Sequence, residues 1–154
     1  MADQFTQSIV VLGNISDMYR IWSNFEVFPH FMSDIKSVTI NGDGTSHWVM
    51  EGPLGTKIEW DAETTLLEEN QRIAWNSKDH SAVTTSGQVT FRELGPNETE
   101  VTVTLRYDPP AGLAGEAVAA LFTNPERRVR HDLERFKQYV ESTSERIRGQ
   151  GQPS

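Results

Sequence analysis

The apolar positions of this chain change their period twice. Phe5, Ile9 and Val11 share one face, with Gln7 the exception on it, and predict an opening strand that Gly13-Asn14 ends. Met18, Ile21 and Trp22 then fall at i, i+3 and i+4. That spacing predicts a helix that either Asn14 or Ser16 caps and Asn24 terminates. A second short helix, about Val27 to Met32, carries Phe28, Phe31 and Met32, with Pro29 in its first turn, where a missing N–H costs little. From Ile35 to Asp108 the period is two. Turn signals at Asn41-Gly42-Asp43-Gly44, Gly52-Pro53-Leu54-Gly55, Glu69-Asn70, Lys78-Asp79-His80 and Gly95-Pro96-Asn97-Glu98 divide it into about six strands. Their loops are too short for parallel crossovers, so the strands form antiparallel hairpins.

The alternation is clearest in Thr56–Leu67. Ile58, Trp60, Ala62, Thr64 and Leu66 make one face, and Lys57, Glu59, Asp61 and Glu63 the other. Val101, Val103, Leu105 and Tyr107 repeat it against Thr102, Thr104 and Arg106, so one face of the sheet is dry and one wet. The last third is helical. Leu113 to Phe122 is alanine-rich, and Asn124-Pro125-Glu126 marks a fresh helix start or a kink. Val129, Leu133, Phe136, Val140 and Ile147 then hold one stripe, with Arg128–Asp132, Arg130–Glu134 and Lys137–Glu141 as i,i+4 pairs on the solvated side. A one-sided sheet and one long amphipathic helix bury their apolar faces against each other. The expected class is α+β: a curved antiparallel sheet of about seven strands wrapped around a long C-terminal helix, with two short helices after the first strand. Residues 1–147 form a single domain, and Arg148–Ser154 is a disordered tail with nothing apolar to bury.

Composition narrows the chemistry. With 154 residues the chain buries enough surface to fold without a disulfide or metal. It has no cysteine, which removes zinc ribbons, iron–sulfur clusters and thiol nucleophiles. A net charge of −8 repels phosphate backbones, so no nucleic-acid partner is expected. No apolar run approaches the ~20 residues of a membrane span, and Met1-Ala2-Asp3-Gln4 lacks a secretory start, so a soluble cytoplasmic protein without stable membrane insertion is expected. No GxSxG, GxGxxG or Walker pattern occurs, and Gly112-Leu113-Ala114-Gly115 lacks the strand-to-helix unit and lysine of a phosphate loop.

His30, His47, His80 and His131 show no metal-ligand spacing, so no metal and no cofactor are expected; His30 or His47 could serve as a general acid/base, with surface or structural roles favoured. The row Glu59, Asp61 and Glu63 would point inward only if its strand were flipped by one residue, and three inward carboxylates would repel and lose hydration. A solvated outer face is favoured; Glu51 reads in either register. Arg127-Arg128-Val129-Arg130 reads as a solvated basic cluster, or as one that recognises an anionic ligand group.

The stretch Tyr19-Arg20-Ile21-Trp22-Ser23-Asn24-Phe25-Glu26-Val27-Phe28-Pro29-His30-Phe31-Met32, followed by Ile35-Lys36-Ser37-Val38, resembles the START-like superfamily, also called SRPBCC, with the helix-grip fold. His47-Trp48-Val49-Met50-Glu51-Gly52-Pro53-Leu54-Gly55, Glu59-Trp60-Asp61-Ala62-Glu63 and Arg72-Ile73-Ala74-Trp75 resemble its bacterial polyketide cyclase/dehydrase, coenzyme-Q-binding-like branch. The resemblance spans about Phe5 to Val140. It implies a cavity between sheet and long helix, open near the two short helices. The expected lining is Trp22, Phe28, Phe31, Met32, Trp48, Met50, Trp60, Trp75, Phe91 and Tyr107, facing the small residues Ala114, Ala117, Ala119 and Ala120. For any one tryptophan, plain core filling competes with this role.

The resulting expectation is binding or transport of a small hydrophobic or amphipathic ligand by a monomer or homodimer. An aromatase/cyclase or dehydrase acting on a polyketide-like substrate is the enzymatic alternative, with no catalytic residues assigned. A non-catalytic interaction module with a filled interior is the third.

Overall fold

A computed structural model of the protein describes residues 3–32, 35–51, 57–78, 84–108 and 125–151. Strand β1 (Asp3–Leu12) is followed by helix α1 (Ile15–Ser23) and a 3₁₀ helix (Phe25–His30). Strands β2 (Ile35–Ile40), β3 (Thr45–Glu51), β4 (Lys57–Glu68), β5 (Arg72–Ser77), β6 (Thr84–Gly95) and β7 (Glu98–Asp108) come next, and helix α2 (Pro125–Gly151) closes the order. The strands form one curled antiparallel sheet in the order β1-β7-β6-β5-β4-β3-β2. Everything from β2 to β7 is a meander; only β1 pairs with a strand distant in sequence.

That order puts β1 and β2 on opposite edges, so the segment between them must cross the whole sheet. The two short helices make the crossing: α1 packs on β5–β7 and the 3₁₀ helix on β2. Asn14 caps α1, its side chain accepting from Asp17 N–H at 2.9 Å, and Met18 and Trp22 point into the core. Bulges at Ile35/Ser37, Thr64/Leu66 and Glu93/Gly95 bend β2, β4 and β6 and add to the curl. The β4–β5 turn needs a left-handed residue, which Asn70 supplies at φ 61°.

Two elements differ from the sequence reading. The second short helix starts at Phe25 rather than Val27, so Pro29 falls near its end and Phe25 becomes part of the core. Helix α2 continues to Gly151, past the Ile147 boundary expected for the domain, because a helix already nucleated adds each further residue at little cost. The alanine-rich segment 113–122, with Ala114, Ala117, Ala119 and Ala120, the 52–55 turn, and Asp79 and His80 lie outside the described residues.

The α2 stripe is as expected at Val129, Leu133, Phe136 and Val140, all buried. The pair Lys137–Glu141 forms at 2.7 Å, half-exposed along the seam between α2 and β1. Lys137 Nζ donates to Val10 C=O at 3.0 Å and Leu12 N–H donates to Glu141 at 3.0 Å. These are backbone groups on the open side of edge strand β1, which no strand satisfies; the ion pair occupies them. The other edge is treated alike: Ile40 N–H of β2 donates to Glu26 of the 3₁₀ helix at 2.8 Å. Glu141 titrates below the ordinary carboxylate range. Burial pushes it up, and the Lys137 ammonium and Leu12 N–H outweigh that.

Candidate functional site

The inward parity of the strands decides which side chains meet beneath the helices. On β3 it selects Ser46, Trp48 and Met50; on β4, Ile58, Trp60 and Ala62; on β5, Ile73 and Trp75; on β6, Gly87, Val89 and Phe91. Trp48 and Trp60 are directly opposed in the register, and their rings stack at 5.9 Å and 14°. Trp75 lies nearly parallel to Trp48 at 6.3 Å and 17°. Three neighbouring strands therefore contribute a near-parallel set of indoles to the inner face of the sheet.

Gly87 makes room for it. It is paired with Trp75 in the register, and a Cβ there would stand 2.6 Å from Trp75 Cε2 and closer still to Cζ2. The indole rests on bare backbone, so the mid-strand glycine of β6 is a packing requirement. The 3₁₀ helix adds Phe25, tilted against Trp48 and Trp75 at 5.8 and 5.6 Å, and Phe28, edge-on to Trp48 at 5.5 Å. At the α2 side Trp22 meets Phe28, Phe31 and Phe136 at 5.3, 5.4 and 5.0 Å. Phe91 meets Tyr19 edge-on at 5.9 Å.

Of the residues expected to line a cavity, Trp22, Phe28, Phe31, Trp48, Trp60, Trp75 and Phe91 are buried in one cluster, and Met32 and Met50 are half-buried against it. The side chain of Tyr107 lies outside the described residues. Sequence reasoning passed over Phe25, Ser46 and Gly87. The lone glycine in an alternating strand was the available signal; Phe25 carried none, because its position depends on where a 3₁₀ turn begins.

The two indole N–H groups deepest in the cluster are provided for differently. Trp48 Nε1 donates to Ser46 Oγ at 2.8 Å, and Ser46 is only 2% exposed. Trp22 Nε1 is buried and has no hydrogen-bond partner among the described residues. A buried donor left unpaired costs about 1–3 kcal/mol.

The polar candidates lie elsewhere. His47 is on the outer face of β3, not at a mouth: it precedes Trp48, and alternation turns it outward. Its Nδ1 meets Asp61 at 2.8 Å and its Nε2 meets Glu59 at 2.9 Å. Those hydrogen bonds hold the imidazole pKa above its ordinary value, against partial burial. Glu59, Asp61 and Glu63 are exposed on that outer face, and Glu51, also outward, pairs with Lys36 at 3.3 Å. His30 is exposed and stacks on Tyr139 at 5.7 Å. His131, Arg127 and Arg130 are exposed on α2. Among the described residues no three His, Asp or Glu side chains form a metal-holding group, and no helix is long and apolar enough to cross a membrane.

A curled seven-stranded antiparallel sheet with a C-terminal helix and two short helices after β1 is the helix-grip, START-like fold. The chain belongs to the polyketide cyclase / dehydrase and lipid transport family, whose model matches residues 14–134. It is 32% identical over 143 residues to an uncharacterized 17.2 kDa protein of Streptomyces lincolnensis, covering 93% of each chain. The crystal structure of a Deinococcus radiodurans protein shares 31% identity at a TM-score of 0.73, covering 92% of this chain and 98% of that one. A START superfamily protein of Mycobacterium smegmatis, at 19% identity and TM-score 0.66 over 89% of this chain and 98% of its own, shares the fold.

Proposed function

We propose that this protein binds a small hydrophobic or amphipathic ligand against the tryptophan face of its sheet. The observation that carries the reading is the near-parallel set Trp60, Trp48 and Trp75, with Trp75 seated on the bare backbone at Gly87. Rings ordered by a sheet lose little further entropy when an apolar molecule stacks on them. Trp60, Trp75 and Phe91 are proposed to contact the ligand, with Trp22 and Trp48 deeper, Met50 at the side of the cluster, and Phe28, Phe31 and Met32 framing the entrance. Lipid transport in the family description supports a carrier. A cyclase or dehydrase would need an acid/base pair aimed at the rings, whereas the His47–Glu59–Asp61 cluster sits on the opposite face of the sheet. The reading takes the protein to act in the cytoplasm.

N-Phenyl-1-naphthylamine should quench tryptophan fluorescence saturably, and Trp60→Ala should weaken that binding more than it lowers stability. Native mass spectrometry of protein from its own source should then show a retained small molecule. A folded protein that binds no apolar probe would refute the carrier and leave an interaction module with a filled interior.

A further inference from the structure

The interior treats its indole donors unequally, and the difference identifies ligand chemistry. Trp48 has a dedicated acceptor, Ser46 Oγ, buried beside it. Trp22 is 1% exposed and its Nε1–H has none among the described residues. Its position is not loose: Asn14 caps the first turn of α1, Met18 is buried one turn earlier, and Phe28, Phe31 and Phe136 press on the indole. Those neighbours offer only carbon. Buried donors are almost always paired, so a fixed and unpaired one is a place for an acceptor brought from outside.

We infer that the ligand carries an uncharged hydrogen-bond acceptor, a carbonyl or hydroxyl oxygen, and that Trp22 Nε1–H donates to it. This rests on the ligand-binding reading above and adds the polar end of the molecule. The apolar body lies on the tryptophan face, and the oxygen reaches the α1 side. One run of side chains leads from solvent to that indole along the seam of the 3₁₀ helix and α2. Exposed His30 stacks on Tyr139, Tyr139 tilts against Phe31 at 5.9 Å, and Phe31 covers Trp22 at 5.4 Å. A carboxylate or phosphate is disfavoured there, because the surroundings are aromatic carbon and a lone neutral donor does not offset the loss of an ion's hydration.

The test uses two probes of one shape, 2-acetylnaphthalene and 2-ethylnaphthalene, which differ by C=O against CH₂. Their affinities are measured by fluorescence titration on the wild type and on Trp22→Phe, which keeps an aromatic ring and removes the N–H. The ketone-to-hydrocarbon affinity ratio should fall about tenfold in the variant, the value of one hydrogen bond. An unchanged ratio, with both probes weakened equally, would mean that Trp22 serves only packing or an N–H···ring contact, and would overturn the inference alone. If neither probe binds the wild type, the ligand-binding reading itself falls. Should Trp22→Phe fail to fold, the wild-type indole ¹H–¹⁵N signals decide, assigned through Trp→Phe changes at 48, 60 and 75. The Trp22 signal should move downfield with the ketone and stay with the hydrocarbon; no movement with the ketone refutes it.

Discussion

Gly87→Ala should destabilise the protein by about 1–2 kcal/mol, and the loss should depend on Trp75. The added Cβ would stand 2.6 Å from Trp75 Cε2 and 3.0 Å from Leu105 Cδ2. Carbon atoms in contact sit ~3.5–4.0 Å apart, so the indole must retreat by roughly 1 Å. Its retreat is opposed by Trp48, stacked at 6.3 Å, and by Phe25, tilted at 5.6 Å. Overpacking of this kind costs ~1–3 kcal/mol. Alanine restricts the unfolded chain more than glycine does and returns ~0.4–1 kcal/mol, since Gly87 has no positive φ that alanine would resist. Urea denaturation of the wild type, Gly87→Ala, Trp75→Leu and the double variant forms a cycle. With the indole gone, alanine at 87 should be neutral or slightly stabilising, giving a coupling near the full cost of the single change. An equal loss in both backgrounds would show that Gly87 is needed for its backbone, not for the ring above it.

The α2 face can be tested with a pair: Leu133→Ala should cost roughly 2–5 kcal/mol in urea melts and Glu134→Ala, exposed beside it, under about 0.5 kcal/mol. The His47 clasp has a raised folded pKa, so its stabilisation is complete below the ordinary histidine value near 6.5 and is lost as pH rises through the folded value. The stability gap between wild type and His47→Gln should therefore be widest in mild acid and narrow above neutrality; a gap that grows with pH would contradict it. Glu141 has a lowered pKa, so its contribution is present above the ordinary carboxylate value and disappears as pH falls through the folded one. Glu141→Gln should lose stability at pH 7 and converge with wild type in acid denaturation, and hydrogen exchange at Leu12 should quicken in the variant at pH 7.

Much of the fold was legible in the residues. Period-two alternation in Ile58–Leu66 and Val101–Leu105 determined which side of each strand is dry, because a one-residue slip would have buried Glu59, Asp61 and Glu63. The stripe Val129, Leu133, Phe136 and Val140 determined the buried face of α2 for the same reason: apolar side chains leave water wherever a surface accepts them. The inward placement of Trp48, Trp60 and Trp75 followed from parity alone. Relations between distant strands and helices did not. That Trp75 lies over Gly87, that Lys137 and Glu141 hold the open edge of β1, and that His47 receives two carboxylates across the β3–β4 register all depend on pairings that periodicity does not encode. Nor does a sequence reveal which buried donor lacks an acceptor. Ser46 stands two residues from Trp48 on the same strand face and is within reach of its indole, whereas the surroundings of Trp22 come from the 3₁₀ helix and α2, brought together only when the sheet curls around them.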